Sequence, residues 1–202
     1  GDVKRDDHSD LSAGGNNLAM VWHGSASGLD PLGHDWVMGG DGLFGASVDS
    51  AGDVNGDGYS DVVIGAPYYT NSLNLQGMAE AYYGSPSGLQ TSASWRDYGE
   101  FAHAWFGWSV SGAGDVNGDG YADLLVGAPK HTRNTNLEGE VRVYYGSNWG
   151  PISYNGGDWT RESNLDTAYL GWSVSSAGDV NGDGYADILA GMPAYINSRG
   201  EV

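Results

Sequence analysis

The sequence predicts an all-β fold, a β-propeller of four-stranded blades, and three observations carry that prediction. A unit of about sixty residues recurs along the chain: "GDVNGDGYSDVVIGAP" at 52–67 returns as "GDVNGDGYADLLVGAP" at 114–129 and as "GDVNGDGYADILAGMP" at 178–193. Each unit divides into four short strand-like segments. Four strands repeated at this length match a propeller blade, whereas a leucine-rich repeat or a β-helix needs a much shorter period. Helix signals are missing, since no apolar residues recur at 3.6 spacing and Gly interrupts the chain throughout. Composition agrees: 35 Gly and 12% aromatics stand against only 8 Lys plus Arg in 202 residues, which suits short strands and tight turns.

Each element of the unit has its own signature. The first strand follows a short opening motif, "FGASVDSAGD" from Phe44, "FGWSVSGAGD" from Phe106 and "LGWSVSSAGD" from Leu170. An acidic turn leads into the second strand, whose unbroken apolar run, "DVVIGA" at 61–66, predicts cover on both faces. The third strand lies in "GMAEAYYGS" (77–85) and "GEVRVYYGS" (139–147); the alternation of "VRVYY" predicts a half-buried strand. The fourth carries a Trp, in "SWRDY" around Trp95 and "DWTRE" around Trp159. The N-terminus is a worn copy, because "GDVKRDDHSDLSAGGN" aligns with "GDVNGDGYSDVVIGAP" without a gap and Trp36 matches Trp95 and Trp159. The expected organisation is a partial, degenerate first blade at 1–41, whole blades at 42–103 and 104–167, and a partial fourth at 168–202.

The acidic turn reads as a metal site. With Asp53 as position 1, side-chain oxygens fall at positions 1, 3, 5 and 9, on Asp53, Asn55, Asp57 and Asp61, and Tyr59 offers its carbonyl at position 7. Alternate residues of a tightly curled loop point inward, so three carboxylates converge and repel unless a cation sits among them. Hard oxygen donors without His or Cys select calcium (Ca2+), and Gly58 supplies the sharp turn. The set recurs as Asp115, Asn117, Asp119, Tyr121, Asp123 and as Asp179, Asn181, Asp183, Tyr185, Asp187. An Asx-rich hairpin that binds nothing is the plain alternative, which three near-identical copies disfavour. An EF-hand or dockerin loop would need a Glu at position 12 and flanking helices. The first copy keeps Asp2, Asp6 and Asp10, but Lys4 replaces the Asn and Asp7 the Gly, so weak or absent binding is expected there.

The pairing of "FG" with "GAP" around a DxNxDGxxD loop resembles the FG-GAP repeat of integrin α-subunit propellers and their bacterial relatives. The likeness covers essentially the whole chain. Leu170, Met192 and "GGN" at 14–16 are the departures. The resemblance implies calcium loops on one rim, a protein or glycan ligand on the opposite rim, and an extracellular or cell-surface setting. That ligand rim would comprise 68–76, 130–138 and 194–199 together with 38–43, 98–105 and 161–169. Such propellers typically close with seven blades. The chain is therefore expected to be part of a larger ring, whose other blades come from the same longer chain or from another copy.

Residues off the repeat are the candidates for specific function. Trp36, Trp95 and Trp159 are equivalent, as are Trp108 and Trp172, and all are assigned to packing between blades. Trp105, in "EFAHAWFG", lies outside the pattern on the expected ligand rim, where it could stack on a sugar or anchor a protein. Trp149 falls on the calcium side and is read as structural. The five His are scattered, no GxSxG elbow occurs, and Glu100, Glu138 and Glu162 are read as solvated loop acids. No enzyme is predicted. A net charge of -18 opposes nucleic acid and anionic membrane. No apolar run approaches the roughly 18 residues that span a bilayer. The favoured reading is an adhesion or scaffolding module, with a lectin and a non-catalytic module of a secreted hydrolase as alternatives.

Overall fold

The computed structural model describes residues 1–6, 8–30, 32–152 and 156–194. Among them are thirteen strands and no helix. The first sheet holds β1 (Leu11–Gly15), β2 (Leu18–Trp22) and β3 (Trp36–Gly39). The second holds β4 (Ser47–Gly52), β5 (Asp61–Ala66), β6 (Met78–Tyr82) and β7 (Trp95–Tyr98). The third repeats it with β8 (Ser109–Gly114), β9 (Asp123–Ala128), β10 (Glu140–Tyr144) and β11 (Trp159–Glu162). A final pair, β12 (Ser173–Gly178) and β13 (Asp187–Gly191), begins a fourth. Neighbouring strands are consecutive and antiparallel throughout, so each sheet is a simple meander, as a propeller blade requires.

Burial corrects one expectation. The strands β5 and β9 are buried at every residue, as their apolar runs predict. Yet β6 and β10 are equally buried, Glu80, Glu140 and Arg142 included. The alternating pattern of "VRVYY" therefore marks no solvated face. A middle strand of a stacked blade is covered by the next blade on both sides, and its polar residues have to find partners there.

The "FG" and "GAP" motifs meet at the blade interface. Within a blade, Gly45 N donates to Gly65 O at 3.0 Å, Gly107 N to Gly127 O at 3.1 Å and Gly171 N to Gly191 O at 3.1 Å. Between blades, the carbonyl of Gly107 lies where a Cβ on Gly65 would stand, and that of Gly171 where one on Gly127 would. Ser47 Oγ and Ser109 Oγ donate to the same two carbonyls at 3.1 and 2.8 Å. The worn first blade keeps this feature, since Gly14 abuts the Gly45 carbonyl. Phe44 and Phe106 are fully buried beside the motif.

The Trp of each fourth strand packs edge-on against a Tyr of the next blade: Trp36 on Tyr82 at 5.1 Å, Trp95 on Tyr144 at 4.8 Å. Trp159, whose equivalent partner would come after Ala194 and outside the described residues, is 42% exposed. These contacts join the blades into continuous apolar clusters.

Candidate metal centre

Each acidic loop connects the first two strands of its blade, after a register shift at Gly52, Gly114 or Gly178. The fold is self-supporting around position 1. Asp53 Oδ1 accepts from Gly56 N at 2.7 Å and Asp57 N at 3.1 Å, and its Oδ2 accepts from Gly58 N at 2.7 Å. Asn55 Oδ1 accepts from Asp57 N at 2.9 Å, and Asp57 Oδ1 from Tyr59 N at 3.0 Å. Asp115, Asn117 and Asp119 repeat these bonds to the amides of Gly118, Asp119, Gly120 and Tyr121. Asp179, Asn181 and Asp183 repeat them again to Gly182, Asp183, Gly184 and Tyr185. Gly58, at φ 91°, takes the left-handed turn that its position demands.

Position 9 has a second task that its spacing does not reveal. Asp61 is fully buried; its Oδ2 accepts from Val54 N and its Oδ1 from Gly84 N, both at 2.9 Å. Asp123 does the same with Val116 and Gly146, both at 2.8 Å. This carboxylate thus ties the loop to the end of the third strand. Asp187 keeps the first bond, to Val180 N at 2.9 Å. Burial pushes the Asp61 carboxyl up to about 7; the Gly84 and Val54 amides oppose the rise, and Asp57 and Asp53 add to it. Asp123 is pushed up to about 6 for the same reasons, with Asp119 and Asp115 as its neighbours. Asp179 is held below its ordinary value by the Gly184 amide foremost.

A divalent cation fits this donor set. The loops present carboxylate, amide and carbonyl oxygens only, with the buried Asp61 and Asp123 set beside further acids of the same loop. Their side chains are nevertheless spread along the turn. Asp53, Asp57 and Asp61 do not bring three ligand atoms within 4.8 Å of one another, nor do their counterparts. In the worn copy, Asp10 still accepts from Val3 N at 2.7 Å and Gly24 N at 2.8 Å, and Asp2 from Asp6 N at 3.2 Å. Asp7 lies outside the described residues.

The loops are also linked to one another. Asp2 O accepts from Ser60 N at 3.0 Å, Asp53 O from Ala122 N at 3.0 Å, and Asp115 O from Ala186 N at 2.9 Å. The rings of Tyr121 and Tyr185 lie over Gly56 and Gly118 of the preceding loop. No local motif signals these bonds, although the fixed position 8 in each copy is where they start.

Away from the acidic loops the structure revises several readings. Trp105 shares its left-handed backbone position with Leu43 and Tyr169, so its site is part of the repeat and only its indole is particular. One face of that indole stacks on Trp108 at 5.0 Å, and Lys130 Nζ lies 3.4 Å from the ring centroid. Tyr68 packs against it at 5.1 Å, and Trp108 continues the array to Trp172 at 5.0 Å. Trp149, read as structural, is 80% exposed. Glu138, read as a solvated acid, is fully buried and accepts the Arg133 and Asn134 amides, both at 2.8 Å. Glu162 and Glu100 are ion-paired to Arg133. Most of the expected rim segment 194–199 lies outside the described residues.

Comparison with known proteins agrees with the interlocked glycines. Integrin alpha-PS2 of Drosophila melanogaster is 36% identical over 154 residues, which are 70% of this chain and 10% of that protein. Integrin alpha-7 of Rattus norvegicus is 32% identical over 173 residues, 84% of this chain and 14% of its own length. A phosphatidylinositol-glycan-specific phospholipase D of Bos taurus is 36% identical over 155 residues, 71% of this chain and 18% of its length. The chain thus spans less than a fifth of each of these relatives. The FG-GAP repeat family matches residues 44–79, 106–144 and 170–202, just over half of the sequence. The chain belongs to the FG-GAP repeat family.

Proposed function

We propose that the chain is a calcium-stapled part of an extracellular propeller that serves adhesion or scaffolding through protein contacts. The observation that carries this reading is the pair of buried position 9 carboxylates, Asp61 and Asp123, set against further acids in loops of oxygen donors only. Calcium would be held by Asp53, Asn55, Asp57, the Tyr59 carbonyl and Asp61, and by their counterparts in the next two loops. The ion supplies charge compensation and rigidity, and no reaction. Loops of this kind fill at extracellular calcium, roughly 0.1–1 mM, which favours an extracellular or cell-surface setting. The worn loop, with the Lys4 ammonium at position 3, stays empty.

The partner surface in this reading is the rim of 68–76, 98–105 and 130–138. A protein partner is favoured over a glycan stacked on Trp105, because Trp108 and Lys130 already cover that ring. The blades run over 42–103 and 104–167, and further blades complete a ring of seven. A second reading, the non-catalytic module of a secreted hydrolase, draws on the phospholipase D relative; the full-length chain decides it. For the main reading, elemental analysis should find about three calcium ions per chain, and chelation should lower the melting temperature by many degrees. An unchanged melt in chelator would overturn it.

A further inference from the structure

Outside the loops, one cluster of ligating side chains stands out. His131, Glu140 and Glu162 each offer a ligand atom, and those atoms lie within 4.8 Å of one another. His131 comes from the β9–β10 connection, Glu140 opens β10 and Glu162 closes β11. In the preceding blade the equivalent positions hold Tyr69, Met78 and Tyr98, and there the two tyrosine rings stack at 5.9 Å. The same fold therefore fills this place with apolar contacts. The third blade instead buries His131 and Glu140 to 1% side-chain exposure and Glu162 to 12%. Burying such groups costs free energy that packing alone does not return.

Their geometry suggests what offsets that cost. His131 Nδ1 is 2.9 Å from Glu140 Oε2, and Nε2 is 3.4 Å from Glu162 Oε1. Despite this proximity, neither imidazole nitrogen nor Glu140 Oε2 has a hydrogen bond of acceptable geometry. The outer oxygens are engaged: Glu140 Oε1 accepts from Arg142 Nε and Glu162 Oε2 from Asn134 Nδ2, each at 2.9 Å. Arg133 also approaches Glu162 Oε1 at 3.3 Å, and the Phe101 ring packs edge-on against His131 at 4.9 Å. An ion takes only one of the two ring nitrogens; with one ligand atom from each residue the three lie within 4.8 Å of one another, close to the spread of ligands about 2.0–2.2 Å from one ion, and the free oxygens of such ligands are usually hydrogen-bonded in this way.

We infer that His131, Glu140 and Glu162 bind one transition-metal dication of the zinc type, separate from the calcium loops. One imidazole nitrogen with two carboxylate oxygens suits zinc, cobalt or manganese better than calcium, which takes oxygen alone. The ion pins the 129–139 connection to β10 and β11, and the partly exposed Glu162 marks its open side.

The test uses calcium-saturated protein, so that the acidic loops do not compete. Zinc is titrated by calorimetry and cobalt by visible absorption. One equivalent is expected, lost in the variant His131→Tyr, Glu140→Met, Glu162→Tyr, which copies the preceding blade and should fold. Glu162→Gln, at the open side, should weaken zinc by ~10–100-fold. No binding of either metal by the parent protein would overturn the inference. So would binding that the triple variant retains, which would belong to surface histidines. Melting in calcium chelator tests the calcium reading independently.

Discussion

Asp61 shows how much one side chain of an acidic loop has to do. Proposed as a ligand, it also accepts two buried backbone amides, from Val54 and Gly84. Asp61→Ala should cost about 3 kcal/mol, because two donors lose a charged acceptor. Asp61→Asn, which keeps one acceptor oxygen, should cost roughly half as much; urea denaturation in calcium chelator, which removes any loss of the ion, measures both, and equal costs would refute the two-amide role. Glu138 offers the complementary case. Its counterpart Gln76 accepts from Leu73 N at 2.6 Å with a neutral amide oxygen. Glu138→Gln should therefore stay within ~1 kcal/mol of the parent, while Glu138→Ala, which strands the Arg133 and Asn134 amides, should lose about 2–3 kcal/mol.

Among the elements, the contact between the two glycine motifs decides how blades stack. Gly127 lies against the Gly171 carbonyl of the next blade, so a methyl group there meets backbone that cannot rotate away. Gly127→Ala should destabilise by about 3 kcal/mol or more through this overpacking. Gly33→Ala, on open surface near Asp30, should stay within ~0.5 kcal/mol. Thermal melting of the two variants side by side checks the contrast. Within a unit, the "FG" and "GAP" glycines stand twenty residues apart and are joined by a backbone hydrogen bond, Gly45 to Gly65 and Gly107 to Gly127.

Over the whole molecule, the loops form a chain. Position 8 of each loop donates its amide to the position 1 carbonyl of the loop before it, at 2.9–3.0 Å. An ion that orders positions 7 to 9 of one loop thereby steadies position 1 of its neighbour. Calcium titration should consequently show positive cooperativity, with a Hill coefficient above one. Independent sites, fitted by a single non-cooperative isotherm, would argue that the links transmit nothing.

The sequence by itself determined the repeat, the four strands of each unit and the donor chemistry of the loops. All of these depend on residues within a few positions of one another, where chain geometry alone sets what can meet. Only the tertiary structure decided that both faces of β6 and β10 are covered, that the Trp105 indole is already packed, and that Glu138 and Glu162 are not solvated acids. It also brought His131 to Glu140 and Glu162, across a connection and two strands with no motif spacing to announce it. The cover of β6 and β10 depends on which blade lies against which, and the other contacts, some between near neighbours and some across strands of one sheet, follow no fixed spacing and leave no periodic trace in the chain.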